Sequence, residues 1–197
     1  MIDIALKLIS AEMNAANVAN TTNGVVLANV ADLEDPGANF EGDVLLTLVN
    51  IEEESTLKNL PAAIKTSNGS VEYRNPPIYL NLYLLFACNQ ANTHYDQALL
   101  QLSEVIRFLQ GRRVFKLSSS SVFTPDREEI DFEDLELSLN LYTMTFEQIN
   151  HLWGSLGGKQ MPFVMYKARL VALDSRRPLG TGTLIEEINT LENADIS

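Results

Sequence analysis

The chain has 197 residues, of which 46% are hydrophobic and 20% are charged, and its formal net charge is −12, from 26 acidic and 14 basic residues. This composition excludes an intrinsically disordered chain and suits one sizeable domain with its own core. The excess of acidic residues repels phosphate backbones, so we expect no general binding of nucleic acid.

Membrane and export signals are not expected. No apolar run is long enough to cross a bilayer as a helix, so we expect no direct insertion into a membrane. Asp3 and Lys7 interrupt the first turns, which is not typical of a signal peptide. The single cysteine, Cys88, excludes an internal disulfide and is predicted to be a small core residue in a reducing compartment.

The first predicted element is a helix over residues 2–18. Apolar residues recur there at steps of four and three, which places them on one stripe of an α-helix: Ile2, Leu6, Ile9, Met13 and Ala16. A short strand is expected over residues 25–30. Residues 43–51 (DVLLTLVNI) are apolar on both faces, which predicts an interior strand.

Three acidic residues, Glu52, Glu53 and Glu54, follow that strand directly. Such a triplet is typical of a solvated strand end, and we treat the three as candidate partner-binding residues. The segment from Glu52 to Asn75 is expected to be a long loop that the core does not need and that could bind a partner. Within it, Asn68-Gly69 predicts a hairpin tip.

The centre of the chain combines a buried strand with an amphipathic helix. Residues 78–88 (IYLNLYLLFAC) are almost uninterruptedly apolar, which predicts a central strand buried on both faces. The helix that follows has its predicted buried stripe at Tyr95, Leu99, Leu102, Ile106 and Leu109. Asn92 or Thr93 is expected to cap its start, and Gly111 to end it.

Two further strands and a helix complete the predicted domain. A short strand is predicted over residues 112–117. Apolar and polar residues then alternate strictly over residues 133–142, with four leucines facing one way: Leu135, Leu137, Leu139 and Leu141. This alternation predicts a strand with one solvated face, antiparallel to its neighbour. Thr145 and Gln148 form a capping box for a helix with five predicted buried residues: Phe146, Ile149, Leu152, Trp153 and Leu156. The last strand, over residues 163–173, has Lys167 and Arg169 on one side.

The remaining residues, 174–197, differ in character. Arg176, Arg177, Pro178, Gly180 and Gly182 are typical of a flexible linker. The segment from Leu184 to Leu191 is too short to fold alone, so we expect the tail to find its partner on another chain. The candidate partner-binding residues of the tail are Arg176, Arg177, Leu184, Ile185, Ile188 and Leu191.

The order of elements predicts the fold class α+β, with a mixed, mostly antiparallel sheet and the helices on one face of it. We expect a single domain over residues 1–174. An extended flexible tail or arm is expected over residues 175–197.

No catalytic, cofactor or metal residue is predicted. His94 and His151 have no second histidine or cysteine at ligand spacing. The sequence WGSLGGKQ at 153–160 departs from a phosphate loop, because Trp153 stands in place of the first glycine and Gln160 in place of the serine or threonine. It is better read as a helix end and a turn. No two carboxylates are paired by the order of residues in an apolar pocket.

Four segments in order and at matching spacing resemble one family: VNIEEE at 49–54, PPIYLNLYLLFACN at 76–89, Tyr95 with ALLQLSEVIRFLQ at 98–110, and FEQINHLWGSLGGKQMPFVMYKARLV at 146–171. The family is the cap, or tail-terminator, family of phage-tail-like contractile injection systems, such as the Photorhabdus virulence cassettes and the antifeeding prophage, in its N-terminal domain. The resemblance covers nearly all of residues 2–174. Many members are longer after this domain than this chain is.

The resemblance implies a structural protein and not an enzyme. Its members form a six-fold ring, a homo-hexamer, at the end of the tube and sheath distal to the baseplate, where they stop polymerisation and anchor the sheath to the tube. The implied partners are the inner tube and sheath subunits. The implied location is the bacterial cytoplasm during assembly and then the contractile particle, extracellular or cytoplasmic. We hypothesise that residues 183–191 (TLIEEINTL) add to a sheet edge of a sheath subunit or of a neighbouring cap subunit.

Two other functions stay open from the sequence. One is a monomeric assembly adaptor or chaperone for tail subunits. The other is a small-molecule enzyme with an acidic pocket whose carboxylates converge only in three dimensions. A ring of about six copies in light scattering would favour the terminator. Co-purification with tube or sheath subunits would separate an adaptor from an enzyme.

Overall fold

The computed structural model describes residues 1–19, 24–33, 40–54, 63–65, 70–73, 78–90, 92–125, 135–157, 159–173 and 180–183. The helices in these ranges are α1 (Ile2–Ala15), α2 (Tyr95–Gly111) and α3 (Phe146–Ser155). The strands are β1 (Val25–Leu27), β2 (Val44–Glu53), β3 (Ala63–Lys65), β4 (Ser70–Tyr73), β5 (Ile78–Cys88), β6 (Val114–Lys116), β7 (Glu136–Tyr142), β8 (Phe163–Leu173) and β9 (Gly180–Thr183).

The chain divides into two compact units, and the larger comprises residues 1–54 and 79–172. It is built on a six-stranded sheet with the order β1-β2-β5-β8-β7-β6. Strand β1 runs parallel to β2, whereas the pairs β2–β5, β7–β8 and β6–β7 are antiparallel. The prediction of an α+β fold with a mixed, mostly antiparallel sheet is therefore confirmed.

The smaller unit comprises residues 55–78 and 173–197 and contains the antiparallel sheet β3-β4-β9. The predicted long loop from Glu52 to Asn75 was wrong, since β2 continues to Glu53 and the segment then forms β3 and β4. Those two strands pair antiparallel on either side of Asn68-Gly69, which agrees with a hairpin there, although the tip itself lies outside the described residues.

Part of the predicted flexible linker is also a strand. Gly180 and Gly182 lie in β9, whose register against β4 pairs Gly180 with Tyr73 and Gly182 with Val71. Backbone hydrogen bonding to a partner strand overrides the low strand preference of glycine here. The proposed division into residues 1–174 and a tail of residues 175–197 stays a prediction.

Strand β5 lies in the middle of the large sheet and is buried on both faces, as predicted. Leu82, Leu84 and Phe86 pack into one apolar cluster, while Leu85 and Ala87 pack into a second. Since successive side chains of a strand point to opposite faces, this alternation divides the core into two layers.

The helices cover both faces of this sheet. Helices α1 and α2 pack in the cluster that contains Phe86, whereas α3 packs with Leu85 and Ala87 on the other face through Leu152 and Trp153. The prediction that all helices lie on one face was therefore wrong. The continuous apolar run of β5 already requires a cover on each side, because a strand with one solvated face would alternate.

Helix α1 is joined to the edge strand β1 by side chains. The Asn14 carboxamide accepts a hydrogen bond from the Val25 N–H (2.7 Å) and donates one to the Val25 carbonyl (3.0 Å), to which Ser10 Oγ also donates. Gly24 adopts φ +76°, and a Cβ there would lie 2.2 Å from Asn14 Oδ1. The close approach of α1 to this strand therefore requires glycine at position 24.

The buried stripe of helix α2 overlaps the predicted one only in part: Leu109 is buried as predicted, and Leu102 packs half-buried against the core. Its buried residues are Ala98, Gln101, Val105 and Leu109, whereas Tyr95 and Leu99 are exposed. Both stripes have helical spacing, and the buried one contains Ala98, whose small side chain permits close packing. The predicted caps Asn92 and Thr93 were also wrong, because a short 3-10 helix over Asn92–His94 precedes α2, and the capping residue is His94, whose side chain makes no capping hydrogen bond to the helix.

Helix α3 begins with the predicted capping box. Thr145 Oγ1 accepts from the Gln148 N–H, and Gln148 Oε1 accepts from the Thr145 N–H (2.9 Å). Leu152 and Trp153 are buried as expected, but Phe146 is 87% exposed. The prediction for Phe146 was wrong because the first turn of this ten-residue helix does not face the sheet.

Candidate interaction surface

A row of charged and polar side chains crosses three neighbouring strands of the large sheet. It consists of Glu52 and Glu54 at the end of β2, Asn81 and Tyr83 on β5, and Lys167 and Arg169 on β8, and we call it the ionic row. The direct register partner of Glu52 is Asn81, so these side chains share a face of the sheet. On β5 that face carries Tyr83 two residues before Leu85, which packs beneath α3.

One end of the ionic row is centred on Glu54, whose side chain is only 12% exposed. Its Oε2 accepts hydrogen bonds from Asn81 Nδ2 (3.0 Å) and from the Arg169 guanidinium (3.2 Å). Asn81 is itself buried, and its Oδ1 has no hydrogen-bond partner in the part of the chain that the structure describes. A largely buried carboxylate needs such charged and polar neighbours to offset its desolvation.

The other end of the ionic row is centred on Glu52. Tyr83 donates a hydrogen bond to Glu52 Oε2 (2.7 Å), and Lys167 Nζ lies 3.7 Å from the same oxygen. The hydrogen bond to Glu52, followed by burial, raises the pKa of Tyr83 to about 12. Because the hydrogen bond to the carboxylate favours the protonated phenol, Tyr83 stays neutral near neutral pH.

Aromatic packing fixes the position of Tyr83 within the row. Its ring meets that of Tyr142 edge-on at 5.1 Å between centroids, and Lys167 Nζ lies 5.6 Å above its ring. Each glutamate of the row thus has a cation and a neutral donor. Such an arrangement ties β2, β5 and β8 together and is structural rather than chemically reactive.

The predicted partner-binding residues fall into two groups. Glu52 and Glu54 belong to the ionic row, and Glu53 lies between them at the end of β2 and is exposed. The tail residues Arg176, Arg177, Leu184, Ile185, Ile188 and Leu191 lie outside the described residues. Binding of a partner by any of them stays a prediction.

Sequence reasoning did not connect the glutamates to their partners. Two signals were present in the sequence: Asn81 is the one strongly polar residue in an apolar run, and Lys167 and Arg169 share a side of β8. The pairing needed the strand order β2-β5-β8, which local patterns do not give.

Several large apolar side chains are exposed on the larger unit. Leu100 on α2 is 62% exposed, and Leu141 at the end of β7 is 59% exposed. Leu141 was predicted to be buried with the other leucines of its strand. The strand partner β6 reaches only Ser138 in its register, so Leu141 lies beyond the paired part of β7 on that side. Exposed leucines of this kind suit contacts with other proteins.

A cavity of about 650 Å³ lies between the residues that follow α1 and one flank of α2. Its lining includes three carboxylate residues, Glu41, Asp43 and Glu104, and one cationic residue, Arg107, which forms an ion pair with Glu104. Gln101 forms part of the wall. The lining residues comprise no histidine, cysteine, serine or tyrosine that could act as a nucleophile.

The other sequence candidates for chemistry are placed as follows. His94 precedes α2, and His151 is exposed on α3. Trp153 to Gln160 span the end of α3 and the turn into β8, with Gly157 at φ +98°. Within the described ranges, histidine, cysteine and acidic side chains form no group of three that could hold a metal ion. None of the described helices is long and apolar enough to cross a membrane.

The fold and its surface define a class: an α+β domain whose sheet charges are paired with one another and whose surface exposes several large apolar side chains. The chain belongs to the family described as the Pvc16 N-terminal domain, whose model matches residues 5–187. The resemblance to the tail-terminator family inferred from the sequence is thereby confirmed.

Two solved structures share the fold. One is the sheath/tube terminator of an extracellular contractile injection system, PVC, in its extended state (TM-score 0.65, 14% identity, covering 100% of this chain and 65% of that chain). The other is the tube-terminating cap of the anti-feeding prophage (TM-score 0.56, 16% identity, covering 94% of this chain and 60% of that chain). This chain thus spans less than two thirds of either. No curated protein matches the sequence.

Proposed function

We propose that this chain is a structural cap, or tail terminator, of a contractile injection system. The observation that carries the proposal is the family match over residues 5–187. The fold shared with a sheath/tube terminator and a tube-terminating cap supports it. In this proposal the chain contacts tube and sheath subunits by its surfaces and catalyses no reaction.

The proposed arrangement is a ring of six copies at the end of the particle distal to the baseplate. There the ring ends polymerisation of the tube and sheath and anchors the last sheath layer to the tube. A ring of identical copies needs a heterologous contact, in which one surface of each copy meets a different surface of the next. Assembly is proposed to take place in the bacterial cytoplasm, before the particle acts.

The test is production of the particle with and without this chain. Without it, we expect tubes and sheaths of widely spread length and sheaths that detach from the tube, as measured by electron microscopy of isolated particles. Supplying the full chain should restore a narrow length distribution, and an epitope tag on it should be found at one particle end. A normal length distribution in its absence would overturn the proposal.

Light scattering on the purified chain measures how many copies associate, and about six are expected for the proposed ring. The two alternative functions, an adaptor and an enzyme, predict different results. A monomeric adaptor would associate with tube or sheath subunits during assembly but be missing from finished particles. An enzyme acting in the acid-lined cavity would be missing from the particle, and particles would assemble normally without this chain. A tagged chain found at the particle end excludes both.

We also propose that residues 183–191 contact a sheet edge of a sheath subunit or of a neighbouring cap subunit. Thr183 is the last residue of β9 and pairs with Ser70 within its own chain, so a deletion that spares β9 begins at residue 184. Deleting residues 184–197 should therefore leave β9 intact and impair retention of the sheath. Replacing Leu184, Ile185, Ile188 and Leu191 by serine should have the same effect, and unchanged sheath retention in both variants would contradict this contact.

A further inference from the structure

Strand β6 is the outermost strand on one flank of the large sheet, and its outer backbone groups are open. The Arg113 carbonyl accepts a hydrogen bond from the Leu139 N–H (2.8 Å), and the Leu117 N–H donates to the Leu135 carbonyl (3.0 Å). By the alternation of an antiparallel pair, the N–H and C=O of Val114 therefore point away from β7. They have no hydrogen-bond partner within the described residues, and the Val114 side chain is 42% exposed.

The opposite flank of the sheet is open along the second half of β2. Among the described strands, β1 is the neighbour of β2 on that side, and it pairs with β2 only as far as Leu46. The Glu54 N–H donates to the Tyr79 carbonyl (2.8 Å), so by the same alternation the N–H and C=O of Ile51 point away from β5. These two groups also have no partner in the part of the chain that the structure describes, and the Ile51 side chain is 45% exposed.

The two open edges lie at the same end of the sheet. Val114 pairs with Ser138 on β7, and Ser138 pairs with Arg169 on β8. Arg169 reaches Glu54 at the end of β2 across β5. Two copies placed side by side therefore bring β6 of one against the end of β2 of the next without displacement along the strands. Such a contact suits a closed ring, because a displacement repeated along the axis builds an open helix.

The charges of the two edges are opposite. Residues 112–116 (RRVFK) are basic at three of five positions, in a chain whose formal net charge is −12. Residues 50–54 (NIEEE) are acidic at three of five positions, and Glu52 and Glu53 are exposed. Pairing either edge with itself would place like charges side by side, whereas pairing one edge with the other brings opposite charges together. The charges thus select a heterologous contact over a two-fold dimer.

We propose that β6 of one copy pairs, at Val114, with β2 of the next copy, at Ile51, so that the large sheets of the ring join edge to edge. The inference rests on the proposed ring and names its contact. The faces of the two sheets match in this arrangement. Phe115 packs in the same cluster as Leu82, the register partner of Ile51, so Phe115 and Ile51 continue one face and Val114 and Glu52 the other. Backbone pairing along an open edge is a recurrent mode of association between chains.

Cysteine crosslinking tests the contact in particles assembled from the full chain with its tube and sheath proteins. The sole native cysteine, Cys88, is buried, so introduced cysteines react selectively. Asn50 is exposed and lies on the same face of β2 as Glu52. The variant Asn50→Cys/Val114→Cys, treated with a short bismaleimide, should give a ladder of multimers that ends at the closed ring. Each single-cysteine variant should stay monomeric, because its cysteine meets a different surface of the next copy.

The variant Asn50→Cys/Leu141→Cys is the matched control. Leu141 lies on the same flank as Val114 and is more exposed (59%), but it stands at the other end of β7, beyond the residues that pair with β6. We expect no ladder from this pair. A ladder restricted to the pair with Val114 supports the inference, and any other pattern overturns it.

A second test removes a hydrogen bond of the contact. Val114→Pro deletes the outward N–H, which an edge strand tolerates within its own sheet. It should lower the fraction of capped particle ends by about fivefold or more, the loss expected from one hydrogen bond. Val114→Thr keeps both the N–H and the strand preference and should cap as the wild type does. Ile51→Pro makes the same deletion on β2 and should also impair capping. Normal capping by both proline variants, shown by thermal unfolding to be folded, would overturn the inference.

The tests separate this inference from the proposed function. If the wild-type chain is found at particle ends but the pair with Val114 gives no ladder, the cap function stands and the β6–β2 contact is wrong. If the wild-type chain is missing from particle ends, both are wrong. The crosslinking result decides where a proline variant does not fold.

Discussion

Arg169 on β8 and Glu54 at the end of β2 form an ion pair across the intervening strand β5, with Arg169 Nη2 3.2 Å from Glu54 Oε2. Asn81, on the strand between them, donates to the same oxygen. The pair therefore joins residues 115 positions apart in sequence and contributes to the register of three strands.

The first prediction compares the two glutamates of the ionic row. Glu54→Ala leaves the buried Asn81 without its acceptor and should lower the free energy of unfolding by about 2 kcal/mol. Glu52 is half exposed, and Glu52→Ala should cost less than about 1 kcal/mol. Chemical denaturation of both variants measures the difference, and an equal or reversed order would contradict the role given to burial.

The second prediction concerns the ionisation of Tyr83. Its folded pKa of about 12 lies above the ordinary value of 10.0. The stability that this hydrogen bond contributes is therefore fully present below pH 10 and is lost as the pH rises through 12. In a titration of tyrosinate absorbance, Glu52→Gln should move one late-titrating tyrosine to lower pH.

Assignment of that tyrosine needs a control, because burial also raises the pKa of Tyr166. Tyr83→Phe should remove the phenol that responds to Glu52→Gln while leaving the Tyr166 titration in place. If Glu52→Gln shifts a tyrosine in the Tyr83→Phe background as well, the assignment to Tyr83 is wrong.

The third prediction concerns the native thiol. Burial of Cys88 raises the pKa of its thiol to about 12, so the reactive thiolate is scarce and shielded. Alkylation of the folded protein should be slower than that of the urea-unfolded chain by at least about tenfold, as measured by mass spectrometry. Cys88→Ser buries a hydroxyl and should cost about 1–2 kcal/mol of stability. Rapid labelling of the native protein would show that the end of β5 is accessible to solvent and would contradict this prediction.

The fourth prediction concerns the junction between α1 and β1. Gly24→Ala introduces a Cβ 2.2 Å from Asn14 Oδ1 at a backbone φ of +76°. The left-handed conformation should lower the free energy of unfolding of this variant by about 1–2 kcal/mol, and loss of the Asn14 hydrogen bonds should lower it by about 1 kcal/mol more. Gly154→Ala in α3 is the matched control, because a Cβ there meets open space and alanine favours a helix. Thermal unfolding should show opposite signs for the two substitutions.

Local patterns in the sequence were sufficient for the elements and for most of the core. The apolar run of β5, the alternation of β7 and the capping box of Thr145 and Gln148 each arise from interactions between near neighbours, and all three were predicted. Where two stripes had equal spacing, as on α2, periodicity could not choose between them. The choice depends on Ala98 and Gln101 meeting residues distant in sequence.

The candidate surfaces depended more strongly on tertiary structure. The glutamates at the end of β2 were singled out by their order in the chain, but Arg169 and Lys167 reach them only because β8 lies beside β5. The cavity next to Gln101 likewise combines residues 17–19, 41–43 and 90–107. No local pattern brings such segments together.

The carboxamide of Asn14 protects an edge of the large sheet. In the parallel pair β1–β2, Val44 N–H donates to the Gly24 carbonyl, so by alternation the amide groups of Val25 face away from β2. Asn14 occupies both of them, as an incoming strand would. Another polypeptide strand could not pair with Val25 without displacing the Asn14 side chain, so this residue protects the β1 edge of the sheet from strand addition at that position.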